Sequence, residues 1–219
     1  MPRIAPSLLA FDQLRLGEEV ANLTAAGIDM LHIDVMDGHF VSDISFGRPL
    51  IVALKQQHPD LALDVHLMVS NPTTVAADYA ALGADRVVFH LETEGNHAST
   101  LATLKTMGCK AGLAINPNTS IARLSPYLEW LDIINIMSVQ AGKGGQQFIP
   151  ATLARLASLR QLLGQRTVEI VVDGGINLNW GAKLAQAGAD TLVIGTALVS
   201  SDDRQRDLKF LRQQERNDA

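Results

Sequence analysis

The segment HIDVMDGHF (32–40) puts two histidines and two aspartates into a stretch that begins as an apolar strand. LALDVHLMV (61–69) carries Asp64 and His66, and VEIVVDGG (168–175) carries Asp173. Side chains alternate between the two faces of a strand. His32, Asp34 and Met36 therefore share one face, as do Asp64, His66 and Met68, then Ile133, Asn135 and Met137, then Glu169, Val171 and Asp173. Two imidazoles and two carboxylates, His32, Asp34, His66 and Asp173, suit one divalent first-row cation such as Zn²⁺, Fe²⁺, Mn²⁺ or Co²⁺. Buried charge is costly unless it is paired or binds a metal. The alternative is a set of hydrogen-bonded core polar groups; four such residues at matching strand ends favour the metal. Asp37 and His39 lie beyond the strand end and are expected in a supporting loop role.

Three glycine-bearing turns follow the last three strand candidates: GKGGQ (142–146), DGG (173–175) and GT (195–196). Backbone amides in such turns, near helix N-termini, cradle phosphate. The loop over 140–146 is expected to close over a ligand. Met36, Met68 and Met137 each suit core filling; together they form a weakly polar collar that displaces water without adding charge.

Eight elements must hold these residues. β-rich runs occur at 3–9, 30–36, 61–69, 86–92, 110–116, 133–139, 168–174 and 191–197, separated by helical stretches such as 14–27 and 150–164. Leu153, Leu156, Leu159 and Leu163 recur at helical spacing in the last of these. AAGID, ALGAD, TMGCK and QAGAD each place a glycine (Gly27, Gly83, Gly108, Gly188) between a helix and a strand, where a left-handed residue is needed. This is the trace of repeated βα units. It predicts an α/β fold, a (β/α)8 TIM barrel over residues 1–219 as one domain, with an open doubly wound sheet as the alternative. Polar residues near the strand C-termini then meet where barrel enzymes keep their chemistry.

The 219 residues are 47% apolar and 19% charged, with a net charge of −5. No basic patch points to nucleic acid, and no apolar run is long enough to span a bilayer. The N-terminus reads as a strand and helix start, not a signal peptide. The lone Cys109 rules out an internal disulfide, fits a reducing compartment and suits a small buried residue at a strand start. A cytoplasmic location follows as an expectation. The C-terminal QQERNDA is expected to fray.

With these residues laid out, the chain resembles the ribulose-phosphate 3-epimerase family over nearly its whole length. The matching motifs are APSLL (5–9), HIDVMDGHFV (32–41), DVHLMV (64–69), NP (116–117), MSV (137–139), GGQ-F with IP (144–150), VDGG (172–175) and IGTA (194–197). The resemblance implies a barrel of the ribulose-phosphate-binding type that takes a ketose phosphate and one divalent metal. It implies metal ligands at His32, Asp34, His66 and Asp173, and an acid–base pair of Asp34 and Asp173. Ser7 matches a contact to a substrate hydroxyl. Gly142, Lys143, Gly144, Gly145, Gly174, Gly175, Gly195 and Thr196 fall in the phosphate-binding turns, and His66, Met36, Met68 and Met137 are expected around the sugar. A homo-oligomer is expected.

Two stretches depart from the family pattern. QAGKGG (140–145) stands where the family typically reads NPGFGG, which makes Lys143 new. FVSDISFG (40–47) has Ser42 and Asp43 where a Pro-Asn pair is usual. The expected reaction is the conversion of D-ribulose 5-phosphate to D-xylulose 5-phosphate through an enediolate. The alternatives are the same inversion on a hexulose 6-phosphate such as D-allulose 6-phosphate, and a weakly catalytic sugar-phosphate-binding paralogue. The Asp-x-Lys-x-x-Asp motif of related decarboxylases and isomerases is absent from the sequence.

Overall fold

A computed structural model describes residues 1–214; most of the expected frayed end, residues 215–219, lies outside the described residues. Eight parallel strands form one sheet: β1 (Arg3–Pro6), β2 (Met30–Met36), β3 (Ala62–Met68), β4 (Arg86–His90), β5 (Lys110–Ile115), β6 (Ile133–Met137), β7 (Glu169–Asp173) and β8 (Thr191–Ile194). From β2 to β8 each strand pairs with the next in sequence, and β1 pairs with β8. A single parallel bridge between Ser7 and His32 joins β1 to β2 and closes the ring. The (β/α)8 barrel is therefore the architecture, and the doubly wound alternative falls.

β2 spans its apolar run in full, and the other strands are one to three residues shorter than theirs. After Pro6 the chain turns into a short 3-10 helix at Leu8–Ala10, which leaves Ser7 at the rim. The outer layer is α1 (Leu16–Ala25), α2 (Arg48–Gln57), α3 (Pro72–Ala81), α4 (His97–Thr106), α5 (Thr152–Leu163), α6 (Leu178–Gln186), α7 (Thr196–Val199) and α8 (Arg204–Arg212). Between β5 and β6 a 3-10 stretch, Ile121–Tyr127, replaces the α-helix; Pro126 within it cannot donate a helical hydrogen bond. Gly27, Gly83, Gly108 and Gly188 all have positive φ, as the repeat requires.

Two apolar layers result. Outward-facing strand residues such as Ile33, Val65, Leu113 and Val172 pack under the helices. Inside the barrel, Ala5, Met30, Val88, Ala114, Ile133, Val171 and Val193 form a separate cluster. The inner cluster is the floor on which the polar residues stand. Cys109 is buried immediately before β5, and that burial pushes its thiol up to about 12.

Candidate metal centre and phosphate cavity

The register of β2 on β3 sets Asp34 beside His66 and His32 beside Asp64. Strand β7 brings Asp173 to its C-terminal end. The result is one buried cluster: single ligand atoms of His32, Asp34, His66 and Asp173 all lie within 4.8 Å of one another. Asp34 Oδ1 is 3.3 Å from His32 Nε2 and 3.3 Å from His66 Nδ1; Asp173 Oδ2 is 3.5 Å from each of the same two nitrogens. These spacings are those of ligands sharing one first-row cation, whose bonds are about 2.0–2.2 Å. His32 Nε2 and His66 Nδ1 are buried without a hydrogen-bond partner. Two bare imidazole nitrogens aimed at two carboxylates fit a divalent cation, so these residues suit the metal that they were expected to hold.

Each ligand is held from behind. Nδ1 of His32 is 2.8 Å from Asp64 Oδ2, so its proton faces Asp64 and its Nε2 lone pair faces the cluster. Arg86 Nε lies 3.1 Å from the other oxygen of Asp64, and Arg86 Nη1 donates to Glu169 Oε1 at 2.8 Å. Thr191 Oγ1 donates to that same Glu169 oxygen. The guanidinium is buried, and the paired carboxylates compensate it. Nε2 of His66 lies 2.9 Å from Nε2 of His90, whose Nδ1 is 3.1 Å from Glu92 Oε2. Ser7 Oγ donates to Asp34 Oδ2 at 2.8 Å. The Ser45 hydroxyl donates to the Asp34 carbonyl and accepts from Met36 N–H at 3.0 Å.

The electrostatics of the cluster are mutual. Burial by itself raises a carboxyl and lowers an imidazole. Against that burial, His32 and His66 hold Asp34 well below the usual carboxylate range, and the same pair lowers Asp173. Asp34 and Asp173 in turn raise His32 and His66 despite their burial. Asp64 is held at about 2, chiefly by Arg86 and His32 acting against burial. The cluster therefore draws positive charge strongly, as a cation site must.

Above the cluster opens a cavity of about 620 Å³. Ser7, Asp34 and Asp173 line it, as do Met36, Met68 and Met137. Its far side is made by Gly142, Lys143, Gly144 and Gly145, by Gly174 and Gly175, and by Gly195 and Thr196. The three glycine turns thus converge on one chamber. His66, also expected near the sugar, is fully buried behind the two aspartates and does not line the cavity. Gly174 and Gly175 are the positions that need glycine most. Both have positive φ, and a Cβ on Gly175 would stand 2.5 Å from Gln146 O and 2.6 Å from Phe148 N. The turn after β7 and the loop after β6 are in backbone contact there.

That loop is tied to itself: Gln146 Nε2 donates to the carbonyls of Gln140 and Lys143. It separates the main cavity from a second one of about 540 Å³, lined by Phe40, Ser42, Glu92, Asn116, Asn118 and Lys143 among others. Asp37 does what a loop anchor does. Its carboxylate accepts from the N–H groups of His39, Phe40 and Ser70 and from the Ser70 hydroxyl. His39 stays beside it, its ring nitrogen 2.9 Å from the Asp37 carbonyl.

Sequence reasoning passed over Arg86, His90 and Glu92. The alternation applied to β2, β3, β6 and β7 was the available signal: in RVVFHLE (86–92), Arg86, Val88 and His90 share the inward face. Asp64 was placed on the right face but given no role.

The comparisons with known proteins agree with this geometry. Residues 3–199 match the model of the ribulose-phosphate 3 epimerase family. The chain is 39% identical to the ribulose-phosphate 3-epimerase of Escherichia coli over 211 residues, covering 95% of this chain and 94% of that one. It is 41% identical to the Serratia marcescens protein of the same name over 202 residues, 91% of this chain and 96% of that one. Among solved structures, it superposes on a 3-hexulose-6-phosphate synthase with a TM-score of 0.70 at 18% identity, covering 97% of this chain and 99% of that one. A 3-keto-L-gulonate-6-phosphate decarboxylase from Vibrio cholerae gives 0.73 at 16%, with 97% and 96% covered; these two likenesses speak to the fold alone. With its ordered motifs, its barrel and its full-length identity to proteins of that name, the chain belongs to the ribulose-phosphate 3-epimerase family.

Proposed function

We propose that this protein is a metal-dependent 3-epimerase of a ketose phosphate, converting D-ribulose 5-phosphate to D-xylulose 5-phosphate. One observation carries the reading: a buried pair of bare imidazole nitrogens and two carboxylates at the base of a cavity ringed by three glycine turns. The turns bind the phosphate through backbone N–H groups, which fixes the sugar with its C2–C3 end over the cluster. A divalent cation (Zn²⁺, Fe²⁺, Mn²⁺ or Co²⁺) held by His32, Asp34, His66 and Asp173 supplies the positive charge that acidifies the proton beside the ketone.

The chain's own groups move the protons. Asp34, reaching in from β2, takes the proton from C3, and the electron pair left behind delocalises onto the C2 oxygen as an enediolate. Asp173, reaching in from β7, must begin the turnover carrying the proton that Asp34 lacks, since the two buried carboxylates titrate as a pair, and it delivers that proton to the opposite face of C3. The carbon is inverted, with Asp34 protonated and Asp173 ionised; exchange with solvent resets them. Ser7 holds the Asp34 carboxylate and lines the cavity, which suits it to contact a substrate hydroxyl. Met36, Met68 and Met137 exclude water from the carbanion without offering it a proton. The setting is the cytoplasm, where such a sugar phosphate resides, and the assembly is a homo-oligomer, to be measured by sedimentation velocity.

A hexulose 6-phosphate is the second reading. It draws on Lys143 and Ser42, which border the second cavity and would give a longer chain somewhere to extend. The test is a panel of ketose phosphates in D₂O with metal-reconstituted protein. Inversion of ribulose 5-phosphate with deuterium entering at C3 is expected. Binding of every substrate without exchange at C3 would refute epimerisation, and a strong preference for the hexulose would select the second reading.

A further inference from the structure

His66 faces the cluster with Nδ1, so its proton must sit on Nε2 if it is to act as a ligand. That Nε2 meets another imidazole nitrogen, Nε2 of His90, at 2.9 Å. Only one proton fits between the two nitrogens, and nothing in the pair itself says which ring carries it. The direction is decided one step further on. His90 Nδ1 is 3.1 Å from Glu92 Oε2, and Glu92 Oε1 accepts from the Asn116 N–H at 2.8 Å and from the Thr119 hydroxyl. An ionised carboxylate only accepts. His90 therefore carries its proton on Nδ1 and offers a lone pair at Nε2, and His66 must donate into it from its own Nε2. Asn116 Nδ2 also approaches His90 Nδ1, at 3.4 Å. The carboxylate is nearer and charged, so it sets the direction. Burial alone would raise Glu92, but His90, Thr119 and the Asn116 N–H hold it at about 2.

We propose that His90 and Glu92 are positioning residues that set the tautomer of His66, so that Nδ1 is presented bare to the cation. This rests on the metal reading above. The two ligand histidines are thus oriented by different means: His32 by a carboxylate directly, His66 by a carboxylate acting through a second imidazole. His90 meets the cluster through the His66 ring, on the side away from its ligand atom, and Glu92 acts one residue further back, through His90.

Glu92→Gln exchanges one oxygen for an NH₂ group with little change of shape. The Asn116 N–H cannot accept, so the glutamine oxygen must stay on that side and the NH₂ must face His90. His90 Nδ1 then becomes an acceptor, its Nε2 carries the proton, and His66 is left with its proton on Nδ1, the ligand atom. Zinc affinity, measured by competition with a chromophoric chelator, is expected to fall by about 10–100-fold, the scale for losing a partner behind a ligand. ¹⁵N NMR of zinc-free protein, at a pH where the imidazoles are neutral, is expected to show His66 protonated at Nε2 in the parent and at Nδ1 in the variant. In a His90→Leu background, Glu92→Gln should have no further effect on affinity, because the intermediate ring is gone. Equal zinc affinity and an unchanged His66 tautomer in folded Glu92→Gln would overturn the proposal. So would His66 protonated at Nδ1 in the parent, a measurement that needs no variant. A parent that binds no zinc at all would instead sink the metal reading, and this inference with it.

Discussion

Asp34 and Asp173 differ from ordinary buried aspartates in what surrounds them. Each has two imidazole nitrogens within 3.5 Å and an edge open to the cavity. Asp34→Asn and Asp173→Asn keep the shape and remove the base. Each is expected to lower the rate of inversion by about 10²–10⁴-fold, the usual contribution of a positioned acid or base. The double variant should be little worse than either single one, because the two act as one proton-transfer unit. Steady-state assays of folded protein, with metal content measured alongside, check this; near-parent turnover in either single variant would end the two-base scheme. Lys143 poses a different question. Its side chain is exposed, yet it borders both cavities. A flexible ammonium there would meet a phosphate or a distal hydroxyl as a point charge. Lys143→Phe is expected to raise KM several-fold, the scale of losing one solvent-exposed hydrogen bond at about 1 kcal/mol, and to shift preference toward the pentulose phosphate. Kinetics on pentulose and hexulose phosphates at two salt concentrations decide it, and an unchanged KM and preference would reduce Lys143 to a surface charge.

At the scale of elements, the site is made by strands that stop and turns that begin. β7 ends on Asp173, and the next two residues turn the chain back against the loop after β6. Ser138, just past β6, pins this corner: its N–H donates to the Asp173 carbonyl at 2.7 Å, and its hydroxyl lies 2.6 Å from the Gly174 carbonyl. Gly175→Ala forces a side chain into left-handed backbone, at about 1–2 kcal/mol, and its Cβ meets backbone atoms that cannot swing aside. The loop after β6 must retreat. Weaker inhibition by inorganic phosphate and a higher KM are expected, with metal content little changed, because Asp173 is held in β7 by its pairing with Met137 and Val193 and the other three ligands stand on β2 and β3. Titration with phosphate, followed calorimetrically, measures the first directly; parent-like phosphate affinity would show that these turns do not hold the anion.

The whole molecule is tied together beneath the site by one cation. Arg86 on β4 reaches Asp64 on β3 and Glu169 on β7, and its Nη1 touches Met30 Sδ on β2. Against the apolar inner cluster, one buried guanidinium faces two carboxylates. Removing one partner strands the others without water. Arg86→Met, close in length but neutral, is expected to lower stability by about 3–5 kcal/mol. It should also weaken metal binding, since Asp64 loses its counter-charge and with it the firm orientation of His32. Urea denaturation and chelator competition read the two effects separately, and a variant as stable as the parent would mean that the buried carboxylates are protonated rather than paired.

Much of this protein was legible in its residues. Period-two alternation placed His32, Asp34, His66 and Asp173 on inward faces, and repeated glycines after helices announced βα units; both are local consequences of backbone geometry, so a single segment suffices to read them. The glycine turns after β6, β7 and β8 were legible for the same reason, and they line one cavity. Other features depend on residues far apart in the chain, and only the folded barrel decided them. Whether the ring closes is settled by one bridge between Ser7 and His32. That Asp64 serves His32 is a matter of β2–β3 register, and that Arg86 meets Glu169 is a matter of reaching across the barrel's interior. On the proposed route from Glu92 to the His66 proton, alternation puts His90 and Glu92 on one face, but that His90 meets His66 is decided by the packing of β4 on β3. Such contacts are absent from the sequence pattern because hydrogen-bond direction is set by the sum of partners in three dimensions, and a strand shows only which face a side chain takes, not what it finds there.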